Sequence, residues 1–283
     1  MVKPQSTDPH GTWVVFAGGS LGTNELLANG KHSGSLPRIS DRLGELVRTN
    51  SEAVLTVRLP EDRKTWNDVA ASSRVIVQHD TQIELLTYGR NADFMSLFFT
   101  VMVGNGSAWM RPLKWLARIA THPLQWLTTL WPFGWSRRTM MMLVMQARDN
   151  AMALRAKRRW LRGGFRLATE QGRDKPIPTY LEVARRAAIW LAQRTGGIAQ
   201  SFVFEPLNIP MTAHVLGGAA IGADASSGVI DRQLRVFGYQ NMLVCDAAAM
   251  PANPGVNPAL TITALAEYAM AQVPAAILPQ RSS

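Results

Sequence analysis

The hydrophobic pattern divides this chain into short apolar runs separated by glycine and proline. Trp13 to Ala17 (WVVFA) is one such run. It breaks at Gly18-Gly19-Ser20-Leu21-Gly22, after which Leu21, Leu26 and Leu27 recur at helical spacing. The pattern predicts a strand, a glycine turn and a helix that Thr23 or Asn24 could cap. A turn of this kind lets backbone come close to a bound group. Ser72 to Leu86 alternates through Val75, Val77, Ile83 and Leu85, the period-two signal of antiparallel strands. Thr139 to Gln146 (TMMMLVMQ) predicts a further strand, with Asp149-Asn150 turning after it, and Ile177 to Ala192 predicts a helix. Between them, Leu97 to Pro132 gathers Trp109, Trp115, Trp126 and Trp131 among three prolines. It predicts helical core punctuated by proline; the functional alternative is an apolar lid over a bulky substrate. Met140, Met141, Met142 and Met145 offer adaptable apolar surface, suited equally to a large pocket and to core packing.

The densest pattern lies near the C-terminus. His214 is followed by Gly217-Gly218, so an imidazole stands beside backbone free to approach another surface. Met242 to Cys245 reads as a short buried strand ending in a lone acid, Asp246. Asn257-Pro258 then opens a helical pattern with Ile262, Leu265, Ala266, Ala269 and Val273 on one face. Asn suits the N-cap and Pro the first helical position, and a helix starting there directs free N–H groups and partial positive charge forward.

Composition narrows the classes. At 283 residues and 47% hydrophobic content, the chain can bury one large or two modest cores. A lone cysteine, Cys245, rules out a disulfide framework and fits a reducing cytoplasm. Histidine and cysteine show no metal-ligand spacing, so no metal is expected. Net charge is +10, with the densest basic run at Arg155, Lys157, Arg158, Arg159 and Arg162. That run reads as a solvated helix face, and nothing in the chain has the form of a nucleic-acid-binding motif. Residues 1–12 lack the apolar segment of a signal peptide, and Phe94 to Val103 is too short to span a bilayer. A soluble, cytoplasmic protein is expected.

Together these stretches resemble the glucose–methanol–choline (GMC) oxidoreductases, flavoenzymes that oxidise alcohols, and within them the bacterial cholesterol oxidase branch. The resemblance rests on GGSLGTNELL, on His214-Val215-Leu216-Gly217-Gly218, on the strand into Asp246, and on Gly255-Val256-Asn257-Pro258 running into Thr261 to Glu267. It covers nearly the whole chain but only about the C-terminal half of the family's usual length. No G-x-G-x-x-G follows a strand in the first 30 residues. The expectation is therefore a C-terminal fragment of a larger reading frame.

The resemblance implies a mixed α/β (α+β) fold. Part of an FAD-binding Rossmann-like domain would occupy residues 1–57 and 206–283, and a substrate domain with an antiparallel sheet and helices residues 58–205. It implies FAD as cofactor, held by Gly18, Gly19, Ser20, Gly22, Asp246, Ala247, Asn257 and Pro258. It implies His214 and Asn257 as the catalytic pair, an apolar alcohol such as a sterol as substrate, and oxygen or another electron acceptor. No nucleic-acid partner is expected, and a transient contact with a membrane surface is. An imidazole with a near-neutral pKa can accept or orient the proton that leaves the alcohol as hydride leaves carbon.

Three departures stand out. The family's Asp-Gly-Ser is Asp246-Ala247-Ala248 here, Ala219 replaces a common cysteine, and Arg137 falls where a proton-moving glutamate is expected, with Glu84 as a substitute acid. The alternative reading is a non-catalytic remnant or interaction module with an incomplete flavin site. A basic binder of membrane surfaces or nucleic acid is a weaker third.

Overall fold

The computed structural model describes residues 13–158, 165–172 and 175–274. In chain order the elements begin with β1 (Val14–Phe16), α1 (Gly19–His32), β2 (Glu45–Thr49), β3 (Ala53–Arg58), β4 (Ala71–Gln78) and β5 (Thr81–Leu86). A 3-10 turn at Asp93–Phe98 leads to β6 (Phe99–Val101), α2 (Met110–Thr121), α3 (Pro123–Leu130) and α4 (Trp135–Arg138). Then come β7 (Thr139–Gln146), β8 (Met152–Arg158), β9 (Phe165–Gln171), α5 (Glu182–Thr195), β10 (Ile198–Phe202) and β11 (Val215–Gly218). The last are β12 (Met242–Val244), a 3-10 turn at Ala247–Ala249, and α6 (Ala259–Met270). The fold is mixed α/β with antiparallel sheets, as expected.

Two compact units form. The first takes the segment ending at Thr49, Asp149–Ile177 and the segment from His214 onward; the second takes Asn50–Arg148 and Pro178–Ala213. The boundaries expected from sequence left residues 149–177 in the middle segment. In the structure this stretch joins the first unit because β8 pairs with β2 at Val47↔Met152, and β9 continues that sheet. Asn150 makes the junction possible. Its buried side chain accepts from the Thr49 N–H (2.9 Å) and donates to the Thr49 carbonyl (2.8 Å), standing in for a strand partner. Asn150 is thus no exposed turn residue. The basic run lies on β8 rather than on a helix, with Arg155 facing Glu45 and Glu170 at 3.5 and 3.7 Å. Arg159 and Arg162 lie outside the described residues.

The first unit holds a parallel pair, β1 beside β12, registered Val14↔Met242 through Phe16↔Val244. Its other sheet runs β11-β2-β8-β9. Both apolar runs expected as strands are strands, and β12 is buried along its whole length. Leu243, Val244 and Ala248 form a core with Leu27 of α1 and Ala269 of α6. Leu265, Ala266 and Val273 pack onto that core, so the face read from the sequence of α6 is the one that turns inward.

The second unit is built on a six-stranded sheet in the order β4-β5-β7-β3-β10-β6. The neighbouring strands are antiparallel. Central β7 has both faces covered, which is why it reads as a continuous apolar run. Met142 and Val144 face Leu55, Val57 and Ile83, and Ala184 and Ala188 let α5 settle closely on that side. Met141 faces the other way, against Phe99 and Trp135. The helix expected from Ile177 begins at Glu182: Pro178 biases Ile177 toward extended backbone, and Leu181, the N-cap residue, is itself extended. It ends at Gly196, whose φ of +67° supplies the left-handed C-cap.

A buried charge cluster secures the start of α2 within this unit. Arg111, fully buried, donates to Glu205 (2.8 Å), to the Asn208 side-chain oxygen (3.0 Å) and to the Thr179 carbonyl (3.3 Å). Its guanidinium carbon also lies 5.0 Å from the centre of the Tyr180 ring. Burial pushes the Glu205 carboxyl up to about 7 from an ordinary 4.5, with Arg111 pulling only partly against it. Burial likewise lifts the Tyr180 hydroxyl to about 12, helped by the Glu182 carboxylate. A carboxyl raised in this way binds its proton more tightly in the folded state. The stabilisation is therefore complete below pH 4.5 and is lost as pH rises through 7. Taking 1.36 kcal/mol per pKa unit, chemical denaturation should report a fall of at most about 3 kcal/mol across that window. The Glu205→Gln variant should show a nearly flat profile.

Candidate functional site

In the first unit, the start of α1, the strand β11 and the turn after β12 converge. α1 starts earlier than expected, at Gly19 with Gly18 as its N-cap residue, and no side chain of that residue caps it. Thr23 and Asn24 therefore lie inside the helix, buried, and serve as connectors rather than caps. Thr23 accepts the Gly18 N–H (3.2 Å) and donates its hydroxyl to Asp246 (2.5 Å). The other Asp246 oxygen accepts the Ala248 N–H (2.8 Å), closing the turn after β12. Asn24 donates to the Ser20 carbonyl (2.7 Å) and the Gly217 carbonyl (3.1 Å), and the Ser20 hydroxyl donates to the same Gly217 oxygen (2.8 Å). The Ala219 N–H completes the circuit at the Ala248 carbonyl (3.0 Å). One network thus ties together Gly18, Ser20, Thr23, Asn24, Gly217, Asp246 and Ala248.

This close assembly explains the paired glycines. Gly217 and Gly218 have φ of +81° and +95°, values that strongly favour glycine. A Cβ on Gly217 would meet the Leu46 carbonyl at 2.5 Å, and one on Gly218 the Asn24 amide at 2.3 Å. Gly19 differs. Its φ is +71°, yet a Cβ there would meet nothing within 4 Å, as would one on Gly22. The outer side of this glycine turn is bare backbone facing open space.

His214 sits immediately before β11, half-buried, three residues ahead of Gly217. Its neighbour Ala213 donates its N–H to buried Glu52 at 2.5 Å. Glu52 thereby fixes the backbone leading into His214, a role without any sequence signal, since a lone acid before a strand is unremarkable in a sequence. Two other described histidines are engaged elsewhere. His32 stacks on Phe165 at 4.2 Å, and His122 contacts Thr121 and Arg118.

Asn257 is exposed and Pro258 buried at the start of α6. Pro258 is the N-cap residue, so α6 starts one residue later than expected, and the Pro258 carbonyl accepts the Ile262 N–H (2.9 Å). Pro258 as N-cap residue gives the first turn no side-chain bond and that turn carries no acid, so its positive dipole end meets no acid of α6 itself. Asn257 therefore does not occupy the capping position. Ala247 is half-buried whereas Ala248 is wholly in the core, so a methyl replaces a family glycine only where the turn is partly open.

Elsewhere, Met141, Met142 and Met145 are core residues, and Met140 with Met141 also reaches a 580 Å³ cavity rimmed by Arg63, Lys64 and Arg194. Arg137 is on α4, 3.5 Å from Asp62. The buried acid of the second unit's sheet is Glu84, opposite Leu143. Burial, followed by the Asp246 carboxylate, raises the Cys245 thiol, which keeps it protonated.

Residues 137–266 match the family model of the GMC oxidoreductases, in its C-terminal domain. The chain carries that domain and is homologous to bacterial cholesterol oxidases. It is 41% identical over 270 residues to the cholesterol oxidase of Acinetobacter baumannii, covering 93% of this chain and 48% of that protein. It is 39% identical over 266 residues to the cholesterol oxidase of Mycobacterium tuberculosis, covering 91% and 46%. The chain therefore spans about half the length of the curated relatives it matches. Among solved structures, pyridoxine 4-oxidase from Mesorbium loti shares the fold, with a TM-score of 0.52 at 13% identity over 92% of this chain and 51% of that one.

Proposed function

We propose that the chain is the C-terminal part of an FAD-dependent oxidoreductase acting on the CH–OH group of an apolar alcohol, a 3β-hydroxysteroid in particular. The observation that carries this reading is the single network binding the Gly18–Ser20 turn, the β11 glycines after His214, and the Asp246 turn. Bare backbone at Gly19 and Gly22 and an α6 N-terminus that carries no acid in its first turn fit a large polar cofactor with anionic groups. FAD, when bound, would supply the hydride acceptor. Gly18, Gly19, Ser20 and Gly22 would let it approach α1, with Asp246 and Ala247 beside it. Asn257 and the N–H groups following Pro258 would offer hydrogen bonds and positive potential where negative charge collects.

His214 would accept the hydroxyl proton on its imidazole as hydride departs from the carbinol carbon, and Glu52 would hold the backbone from which it projects. Its Ala variant is expected to lower the rate of flavin reduction by roughly 10²–10⁴-fold while leaving flavin binding intact. The test uses the chain together with the missing upstream half of a relative, followed by flavin absorbance under anaerobic 3β-hydroxysteroid. Unchanged bleaching in the variant would remove His214 from the chemistry. Ala247, standing where the resemblance implies a glycine, favours one second reading, a non-catalytic module. Absence of flavin binding by the parent chain with that half supplied would support it.

A further inference from the structure

Two features of the second unit take no part in the proposed site. One is the segment expected as helical core, which has its apolar face outside. Leu113, Leu116 and Leu124 of α2 and α3 are exposed, while Trp115 donates inward to Thr100 (2.9 Å). The other is the 580 Å³ cavity that Met140 and Met141 reach. It lies where β3, β5 and β7 share one end and α5 finishes, and every lining residue belongs to the second unit. Leu59, in its wall, and Glu52, which holds Ala213, flank opposite ends of β3, roughly 23 Å apart.

The less exposed lining includes Leu59, Leu85, Leu86 and Met140, whereas the exposed lining is mostly charged. Three cations, Arg63, Lys64 and Arg194, and two acids, Glu61 and Asp68, line the cavity, so it carries one net positive charge. Arg63 pairs with Glu61 at 3.0 Å, and Asp68 accepts the Val69 N–H at 2.8 Å. Lys64 and Arg194 make no ion pair among the described residues; Arg194 lies 5.5 Å from the centre of the Trp190 ring. Lys64 is fixed at the rim by its own loop. Its φ of +50° is a strained, left-handed value for a residue with a side chain. The Asp62 carboxylate accepts the Lys64 N–H (2.9 Å) and the Asn67 N–H donates to the Lys64 carbonyl (2.9 Å), which together hold that conformation. Thr139, buried in the wall, has a hydroxyl with no hydrogen-bond partner among the described residues, a group left for something else to satisfy.

We infer that this cavity binds an apolar monocarboxylate, its charge met by Lys64 and Arg194 and its body by Leu59, Leu85, Leu86 and Met140. The volume suits a ligand of drug size. One surplus positive charge matches one carboxylate, whereas a neutral apolar molecule would leave both cations without a counter-charge. Binding here requires neither flavin nor turnover, so its failure is distinct from failure of the oxidoreductase reading.

Pyrenebutyrate, a fluorescent apolar monocarboxylate, would be titrated with the full chain and followed by anisotropy. Saturable binding is expected. Pyrenebutanol, the same body without the charge, should bind roughly tenfold more weakly. Lys64→Gln and Arg194→Gln should each weaken pyrenebutyrate binding roughly threefold, and the double variant roughly tenfold. Both side chains are exposed and make no ion pair among the described residues, so thermal unfolding should be unchanged and loss of binding is not loss of fold. Arg186→Gln removes the same charge from an exposed position of α5 outside the cavity and should bind as the parent does. The inference is overturned if the parent does not bind pyrenebutyrate, if pyrenebutanol binds as tightly, or if the double variant binds like the parent. Displacement by inorganic phosphate beyond that by sodium chloride of equal ionic strength would overturn it too, because that marks a general anion site.

Discussion

Arg111→Met is expected to destabilise the second unit by about 3–5 kcal/mol at pH 8, the usual cost of removing one partner from a buried ion pair. The guanidinium is wholly buried and satisfies the Glu205 carboxylate, the Asn208 side chain and the Thr179 carbonyl, all of which the variant leaves without that donor. An ionised Glu205 would then be stranded without its cation. Because burial has already raised Glu205 to about 7, protonation offers an escape at lower pH. The loss measured by denaturation should therefore be smaller at pH 5 than at pH 8. Arg111→Met combined with Glu205→Leu should recover most of it, since no charge is then left buried. A single variant as stable as the parent at both pH values would show that the pair contributes nothing.

Gly218→Ala is expected to cost the first unit about 3 kcal/mol or more, from left-handed backbone strain combined with a steric overlap. The new methyl would lie 2.3 Å from the Asn24 amide nitrogen, and Asn24 cannot swing aside without giving up its bonds to Ser20 and Gly217. Gly19→Ala is the informative contrast. Its φ is also left-handed, but its methyl would point into open space, so strain alone, about 1–2 kcal/mol, should appear in thermal unfolding. If the bare side of this turn receives the cofactor, Gly19→Ala should nonetheless weaken FAD affinity by well over its stability cost. Flavin titration decides. Equal affinity for parent and Gly19→Ala would place the cofactor elsewhere.

Much of the candidate site was legible in the sequence because its signals are local. A strand–glycine–helix turn, paired glycines after a histidine, a strand ending in an acid, and Pro258 ahead of a periodic helix each depend on neighbouring residues. All four stand where the pattern placed them, within one or two residues. The shifts arise at helix ends. Thr23 and Asn24 look like caps by composition, yet each finds a stronger demand for its hydrogen bonds in a segment some two hundred positions away. Glu52 carried no signal and Asn150 read only as a turn residue, since their partners are backbone groups whose positions only folding determines.

By itself the sequence determined many of the strands and helices, the family they resemble, and which residues are candidates for the site. Burial was decided only in three dimensions. A stripe of leucines at helical spacing specifies an amphipathic helix but not which side faces the protein, and in α2 a buried ion pair at Arg111 and a hydrogen bond from Trp115 turn the polar side inward. Likewise, residues 149–177 join the first unit through pairing across β2, a long-range choice made by register and by the Asn150 side chain. Periodicity records local geometry, whereas the partner of each face is set by contacts between segments far apart in the chain.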